Sequence, residues 1–391
     1  MARRRGAEPA AGSLERLLAA KEIAISCGSG GVGKTTAAAS VAAMAAIHLG
    51  GNVLVLTVDP ARRLANALGL ETFGNVETQV PPESFAAAGA EPRGELWAAM
   101  LDTKQSWDDL VRRHAPDAQT RDAILANPLY QNVTGKFVQS HDYIAMERLY
   151  EIHSSGRYDL IVVDTPPTRN AIDFLEAPGR MADFFSSRLL RWLTAPARSR
   201  VLNMASRPFY TVADRILGSQ FLEDIAEFFL LFQTMYGGFV ERSKAVTRTL
   251  GDKRTTFVVV STLEPAPLRE AEFFMEALAD RNLHLGAIVL NKVLPDYLLD
   301  GEAGEAAQRL SSSAEKVAAK LPAEAGPPEQ VARVLKEVGE SFLNFRVVAE
   351  REAEQRAELS TVPDVVAVAP YLDTDVYDLP GLLRLGTHIW R

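Results

Sequence analysis

Short apolar runs alternate with segments of helical pattern along the chain from about residue 21 onward. Most of the runs are continuously apolar, as expected for strands whose two faces are both covered by helices. The predicted strands are residues 23–27, 53–58, 96–101, 160–163, 257–261, 287–290 and 365–369. Strands that alternate with helices are typical of βαβ units. We therefore predict an α/β fold with a doubly wound, mostly parallel sheet.

Two segments depart from this alternation, and both are helical in pattern. Residues 168–250 are rich in Phe, Leu and Met and contain no convincing strand. Residues 300–360 are rich in Glu, Ala, Lys and Arg around a Gly-Pro-Pro break at 326–328. We interpret both as helical insertions in a single domain over residues 21–391. Residues 1–20 are predicted to form a flexible N-terminal arm that ends in a short helix.

Composition excludes several classes of function. The 391 residues are 47% hydrophobic and 24% charged, as in soluble globular proteins, and the net charge of -8 disfavours bulk attraction to nucleic acid. Cys27 is the only cysteine, so one subunit cannot supply two thiolates to a zinc or iron–sulfur site. No stretch of the sequence approaches the ~20 apolar residues of a membrane span. We expect a cytoplasmic protein with no zinc, no iron–sulfur cluster and no nucleic-acid partner.

A glycine-rich stretch lies between the first predicted strand and an alanine-rich helical segment at 37–49, and it fits the phosphate-loop pattern G-x-x-x-x-G-K-[ST]. Its residues are Gly28, Ser29, Gly30, Gly31, Val32, Gly33, Lys34, Thr35 and Thr36. Glycines let backbone N–H groups approach phosphate oxygens, and the N-terminus of the following helix favours anions. Lys34 is predicted to reach the β- and γ-phosphates of ATP, and the Thr35 hydroxyl to ligate Mg²⁺. A chance glycine-rich turn is the alternative, which the register of strand, glycines, Lys-Thr and helix disfavours.

Two aspartates end predicted strands beside this loop. Asp59 follows the strand at 53–58, and Asp164 follows the strand at 160–163. Ligands of open α/β sheets bind at the carboxyl ends of the strands, so both carboxylates are expected to face the phosphates. Asp59, followed by Pro60, also fits a helix N-cap, which is its structural alternative. Two such residues beside a phosphate loop favour a functional role for both.

Four further stretches, together with the loop, resemble a known family. They are 57–64 (TVDPARRL), 164–168 (DTPPT), 290–292 (LNK) and 369–372 (APYL). They are similar to the ATPases that drive arsenite pumps or target tail-anchored membrane proteins. Those belong to the deviant-Walker-A class of P-loop proteins, with MinD, ParA and nitrogenase iron protein. The resemblance runs from about residue 21 to the C-terminus, and the CGSGGVGKTT loop resembles that of the actinobacterial branch.

The resemblance implies roles for individual residues. It implies that Asp59 orients the attacking water, which makes Asp59 and Lys34 the candidate catalytic residues. It places Asp164 near the Mg²⁺ shell, binding the ion through water. It implies that Asn291 contacts adenine, although a turn residue at a strand end is an alternative, and that Pro370 packs on the base. It also implies that ATP is hydrolysed by a face-to-face dimer.

Ser29 departs from the family pattern. The family usually has a lysine at this position, which reaches the partner's phosphates across the dimer, and a trans cation of that kind stabilises transition-state charge. A neutral Ser29 leaves four readings open. These are slow turnover, a substitute cation from Arg62, Arg63 or Arg169, a paralogous partner that supplies the lysine, or a serine that merely shapes the loop. The cysteines used elsewhere in the family for arsenite or zinc are also missing, and Cys27 is predicted to be a small core residue.

The first helical insertion contains a stretch that combines arginines with apolar residues. Between Asp183 and Asp214 there is no acidic residue, and residues 228–240 contain no charged side chain. The arginines are Arg188, Arg191, Arg198, Arg200 and Arg207. A groove for a hydrophobic client helix and a buried helical subdomain with snorkelling arginines both fit this pattern. The sequence leaves the two open.

We therefore predict a Mg²⁺-dependent ATPase whose nucleotide state drives dimer closure and binding of a hydrophobic protein segment or membrane partner. In that role the protein could also be peripheral at the membrane. The alternative is a regulatory nucleotide-binding subunit of a heterodimer with a paralogous ATPase, with weak hydrolysis of its own. A metalloid-pump motor is disfavoured because Cys27 is alone.

Overall fold

The structure is a computed structural model that describes residues 12–58, 63–70, 73–131, 138–166, 175–177, 179–180, 183, 227–359 and 363–390. Eight strands in these residues form one sheet. They are β1 (Ile23–Cys27), β2 (Gly51–Thr57), β3 (Thr78–Gln79), β4 (Gly94–Met100), β5 (Leu160–Asp164), β6 (Thr255–Ser261), β7 (Leu285–Val293) and β8 (Val365–Pro370). Their order is β3-β4-β2-β5-β1-β6-β7-β8, and only the edge strand β3 is antiparallel to its neighbour. This confirms the predicted mostly parallel sheet.

Helices cover both faces of this sheet. The helices are α1 (Leu14–Leu18), α2 (Lys34–His48), α3 (Arg63–Leu68), α4 (Pro82–Ala87), α5 (Thr103–His114), α6 (Ala118–Ala126), α7 (Val138–Ser154), α8 (Tyr236–Leu250), α9 (Pro265–Asp280), α10 (Gly301–Ser312), α11 (Ala314–Ala318), α12 (Pro328–Leu359) and α13 (Leu379–Ile389). Alternate residues of a strand point to opposite faces. Ile23 and Ile25 lie in the apolar layer that also contains side chains of α5, α7, α8 and α9, whereas Ala24 lies in the layer that contains side chains of α2 and α13. The sheet is therefore doubly wound, as predicted.

Helix α2 lies close against the sheet because most of its buried side chains are alanines. Helix α13 covers its other side, where a Cβ on Gly386 would lie 2.5 Å from Met44 Cγ. The fully buried Trp390 follows α13 and stacks on His48 at a ring-centroid distance of 5.9 Å. The helix that carries the phosphate loop is thus enclosed on both sides.

The short helix predicted at the end of the N-terminal arm is present in the described residues. Ser13 caps helix α1 by accepting a hydrogen bond from Arg16 N, and Leu14 and Leu18 are buried in the same apolar layer as α2. The Glu15 N–H also donates to the Trp390 carbonyl at 3.2 Å. Apolar burial of a single helical turn was not visible in the sequence, and it makes this short helix part of the domain. Residues 1–11 lie outside the described residues.

Part of the first predicted insertion is described, and this part contributes side chains to the hydrophobic core. Residues 227–233 and α8 are helical. Phe228, Phe232, Met235 and Phe239 are buried in the apolar layer that holds α5 and α7. For these residues the structure agrees with the buried subdomain and not with an open groove. The arginine-rich stretch at 184–226 lies outside the described residues.

The second predicted insertion is helical as expected, with α10, α11 and α12 packed together. Gly326, at a φ of +106°, separates α11 from α12. Gly339 lets α12 approach α10, because a Cβ there would lie 2.6 Å from the Ala307 carbonyl oxygen. None of the helices in the described ranges is long and apolar enough to cross a bilayer.

Candidate nucleotide site

The glycine-rich loop follows β1 at the carboxyl end of the sheet, between β5 and β6. Gly28 must be glycine because a Cβ there would lie 2.2 Å from the Val260 carbonyl oxygen of β6. Around Gly30 and Gly31, in contrast, no atom of the described residues beyond each glycine's own chain neighbours lies within 4 Å of where a Cβ would be, and Gly31 has a φ of +83°. The loop is therefore held tightly at its start, and its tip is uncovered by the part of the chain that the structure describes, as a cradle for a ligand requires.

The loop leads directly into the N-terminus of α2. Gly33, at a φ of +89°, is the N-cap, and its carbonyl accepts the first intrahelical hydrogen bond from Ala37 N at 2.9 Å. A glycine has no side chain with which to cap the N–H groups of the first turn, and that turn contains no acidic residue. These N–H groups and the helix dipole favour an anion at this end of α2.

Lys34 places a cation in the first turn of α2, where it is 7% exposed. The neighbouring Cys27 does not neutralise that charge, because burial raises the pKa of its thiol to about 12. A buried ammonium is stabilised when an anion reaches it. Lys34 is thus positioned for the phosphate role predicted from the motif.

Two hydroxyl side chains from different elements meet at Asp164, the last residue of β5. The Thr35 hydroxyl donates a hydrogen bond to Asp164 Oδ2 at 2.7 Å, and the Thr57 hydroxyl donates to the same atom at 3.0 Å. The strand register explains the meeting, since Asp164 is the partner of Ser26 in β1 and of Thr57 in β2. Asp164 itself is fully buried. The phosphate loop is therefore tied to the end of β5 by a short polar contact.

This donor set fits Mg²⁺. The ion prefers hydroxyl, carboxylate, water and phosphate oxygens, and it commonly takes only one or two protein ligands. Because Thr35 gives its proton to Asp164, the lone pairs of its hydroxyl oxygen remain available to a cation. Asp164 lies behind the Thr35 hydroxyl, and this arrangement suits binding of the ion by Asp164 through a water molecule. Thr35 and Asp164 are thus the residues that would hold the ion.

Thr57 is a site residue that the sequence analysis missed. It is the last residue of β2 and the first residue of the 57–64 stretch (TVDPARRL) that contains Asp59, for which no separate role was predicted. The available signal was its place at the carboxyl end of a strand, where polar side chains are exceptional in an otherwise apolar run. Recognising it required knowing that β2 and β5 are neighbours in the sheet.

Asn291 and Pro370 lie near the carboxyl ends of β7 and β8. The phosphate loop follows the carboxyl end of β1 on the same side of the sheet. Asn291 is 9% exposed, and its Nδ2 donates to the Val32 carbonyl oxygen at 2.8 Å. Pro370 is half-buried opposite Val293. The contact with adenine and the packing on the base stay predictions for these two residues.

The remaining predicted residues are placed as follows. Ser29 is 9% exposed, and within the described part of the chain its Oγ makes no hydrogen bond. Thr36 is half-buried in the first turn of α2. Asp59, Arg62 and Arg169 lie outside the described residues, as does the side chain of Arg63. The role of Asp59 therefore stays a prediction.

Comparison with known proteins agrees with the motifs. The family model described as anion-transporting ATPase matches residues 21–317. An uncharacterized protein of Streptomyces coelicolor is 29% identical over 69% of this chain and 62% of its own length. The ATPase GET3 of Malassezia globosa is 25% identical over 68% of this chain and 71% of its own, and the ATPase ASNA1 homolog 1 of Paramecium tetraurelia is 26% identical over 69% and 74%.

The first of these matches spans less than two thirds of the Streptomyces protein. The family model, in contrast, covers most of this chain, including the phosphate loop, Asp164 and Asn291. The fold, the loop and the order of the motifs lead to the same result. The chain belongs to the anion-transporting ATPase family.

Proposed function

We propose that the protein hydrolyses ATP in a Mg²⁺-dependent reaction. The observation that carries this proposal is the contact of Thr35 with Asp164 beside the uncapped N-terminus of α2 and the buried Lys34. Lys34 and the loop N–H groups bind and orient the β- and γ-phosphates, and Asp59 orients the attacking water. Bound Mg²⁺ would neutralise charge on the β- and γ-phosphate oxygens. The protein's own groups, Lys34, Asp59 and the backbone N–H groups of the loop, bind and orient the phosphates and the attacking water.

We further propose that the nucleotide state controls closure of a dimer and binding of a hydrophobic protein segment or membrane partner. The resemblance to ATPases that target tail-anchored membrane proteins supports this role. The described residues 227–240 do not supply an open groove, because Phe228, Phe232 and Phe239 are buried. The arginine-rich stretch at 184–226 of the first insertion lies outside the described residues.

Ser29 favours a second candidate function. It occupies the position at which the family usually has a lysine, and its buried Oγ offers a hydroxyl in place of a cation. A subunit of this kind binds nucleotide but hydrolyses it weakly until a partner supplies the missing charge. The protein would then be the regulatory subunit of a heterodimer with a paralogous ATPase.

A Ser29→Lys variant tests both candidates. We expect the wild-type protein alone to hydrolyse ATP slowly, and Ser29→Lys to accelerate hydrolysis at least about tenfold, still below the ~10³–10⁵ that a trans arginine can supply. The gain should increase with protein concentration, because a trans cation acts only after two subunits have met. Phosphate release measured over a range of protein concentrations gives the result.

Ser341→Lys, on the exposed face of α12, is the matched control, since it adds the same charge away from the site. Wild-type protein that already hydrolyses ATP rapidly and is unchanged by Ser29→Lys would contradict the idea of a missing trans cation. That outcome would point to an arginine of the same subunit.

Arsenite or antimonite should not stimulate hydrolysis. A soft metalloid needs converging thiolates, whereas Cys27 is buried and burial raises its pKa to about 12, so its thiol stays protonated at neutral pH. Phosphate release with micromolar arsenite, compared between wild type and Cys27→Ser, gives the result. Stimulation that disappears in Cys27→Ser would show that this thiol binds the metalloid.

A further inference from the structure

The position of Asn291 follows from an irregularity in β7. Leu290 pairs with Val368 and Val293 pairs with Pro370, so β7 has one residue more than β8 over this step. The extra residue forms a β-bulge, in which Lys292 has a φ of +58°, a left-handed conformation that is uncommon for a non-glycine residue. Bulges beside functional sites commonly re-aim a side chain. Here the bulge accompanies an Asn291 side chain that points at the phosphate loop.

Both ends of the Asn291 amide are fixed. Its Oδ1 accepts a hydrogen bond from the Lys292 N–H at 3.0 Å, and its Nδ2 donates to the Val32 carbonyl at 2.8 Å. The Nδ2 atom lies so near the loop that a Cβ on Gly33 would be 2.3 Å from it. Asn291 is 9% exposed. The side chain is therefore packed against the peptide that joins Val32 to Gly33.

The geometry of that peptide sets the direction of a phosphate-binding group. A trans peptide is planar, and its C=O and N–H point in opposite directions. Because the Val32 carbonyl points at Asn291, the Gly33 N–H of the same peptide points away from Asn291. The Gly33 N–H is one of the backbone donors between the open tip of the loop and the first turn of α2, where the phosphates are expected.

We propose that Asn291 is a positioning residue for the phosphate loop. Its amide holds the Val32–Gly33 peptide in the orientation that presents the Gly33 N–H to the phosphates. This inference rests on the proposed nucleotide-binding function. It differs from recognition of adenine, because a residue that orients the loop affects every ligand with the same phosphates, with or without a base.

Inorganic tripolyphosphate separates the two roles, since it has the phosphates of ATP and no base. The experiment is a calorimetric titration of wild type, Asn291→Ala and Asn291→Asp with magnesium tripolyphosphate and with a magnesium complex of a non-hydrolysable ATP analogue. We expect Asn291→Ala to weaken both ligands by the same factor, about tenfold, which is the effect of one buried hydrogen bond. Asn291→Asp should weaken both at least as much, because a carboxylate has no proton to donate to Val32.

Pro370→Ala is the contrasting variant, because its predicted contact is with the base alone. It should weaken the ATP analogue and leave tripolyphosphate binding unchanged. The deciding quantity is the ratio of the two dissociation constants within each variant, which a partly unfolded sample does not alter. The expected ratio is unchanged in both Asn291 variants and shifted in Pro370→Ala.

Tripolyphosphate binding that is intact in Asn291→Ala, with weakened binding of the ATP analogue, would overturn the inference and assign Asn291 to the base. Wild-type protein that binds neither ligand would overturn the proposed function, and the inference with it. The two failures are therefore distinguishable by the wild-type titration.

Discussion

Replacing Lys34 with alanine is expected to weaken MgATP binding by about a hundredfold. Charge-assisted hydrogen bonds are each worth about 1.5–3 kcal/mol, and about 2.8 kcal/mol corresponds to a hundredfold change in Kd. The substitution should leave α2 intact, because alanine is the most favourable residue in a helix. Calorimetric titration with a non-hydrolysable ATP analogue measures the loss.

Asp59→Asn is the contrasting variant for Lys34→Ala. Asp59 is proposed to act on the attacking water, so its amide variant should keep MgATP affinity and lose single-turnover rate. Lys336→Ala removes the same charge as Lys34→Ala from the exposed face of α12, and it should change neither quantity. Equal loss of binding in Lys34→Ala and Asp59→Asn would contradict the assignment of separate roles.

Phe232→Ala is expected to lower the free energy of unfolding by about 3–5 kcal/mol. The Phe232 side chain is 3% exposed, and its ring lies 4.7 Å from that of Phe228 and 5.7 Å from that of Phe239, with which it is stacked. The rings of Trp107 and Tyr130 also belong to the cluster, with centroids 6.4 and 6.2 Å from that of Phe232. Truncation therefore removes a large buried apolar area and leaves a cavity between helices. Denaturant unfolding measures the change.

Phe273 on α9 offers a matched control, because it is 62% exposed and its truncation should change stability by no more than about 0.5 kcal/mol. Near-normal stability of Phe232→Ala, together with lost capture of a hydrophobic helix, would show that this cluster opens as a client groove. The structure predicts the opposite order of effects, with unfolding first.

The main strands were predictable because both faces of the sheet are covered, which makes each strand a continuous apolar run. Strand β3 was missed, since its two residues, Thr78 and Gln79, give no periodicity and pair only at the sheet edge. The strand predicted at 287–290 ends too early, because β7 continues to Val293. The polar Asn291 and Lys292 resemble a loop in sequence, and only pairing with β8 shows that they belong to a bulged strand.

The candidate site was predictable where its residues are adjacent in sequence and only partly elsewhere. Lys34 and Thr35 follow from a local motif, because one strand, one loop and one helix build that part of the site. The contacts of Thr57 with Asp164 and of Asn291 with Val32 join residues that are distant along the chain. They depend on strand order and on a bulge, and neither leaves a pattern in a single sequence.

The enclosure of α2 by α13 bears on how the protein is made. The ribosome synthesises the phosphate loop and α2 early, but the residues that cover α2, including Gly386 and Trp390, emerge much later. At about 5–20 residues per second the delay is on the order of tens of seconds. During that time the alanine-rich surface of α2 lacks its native cover. Nascent chains that have not yet reached about residue 390 are therefore expected to need protection by chaperones.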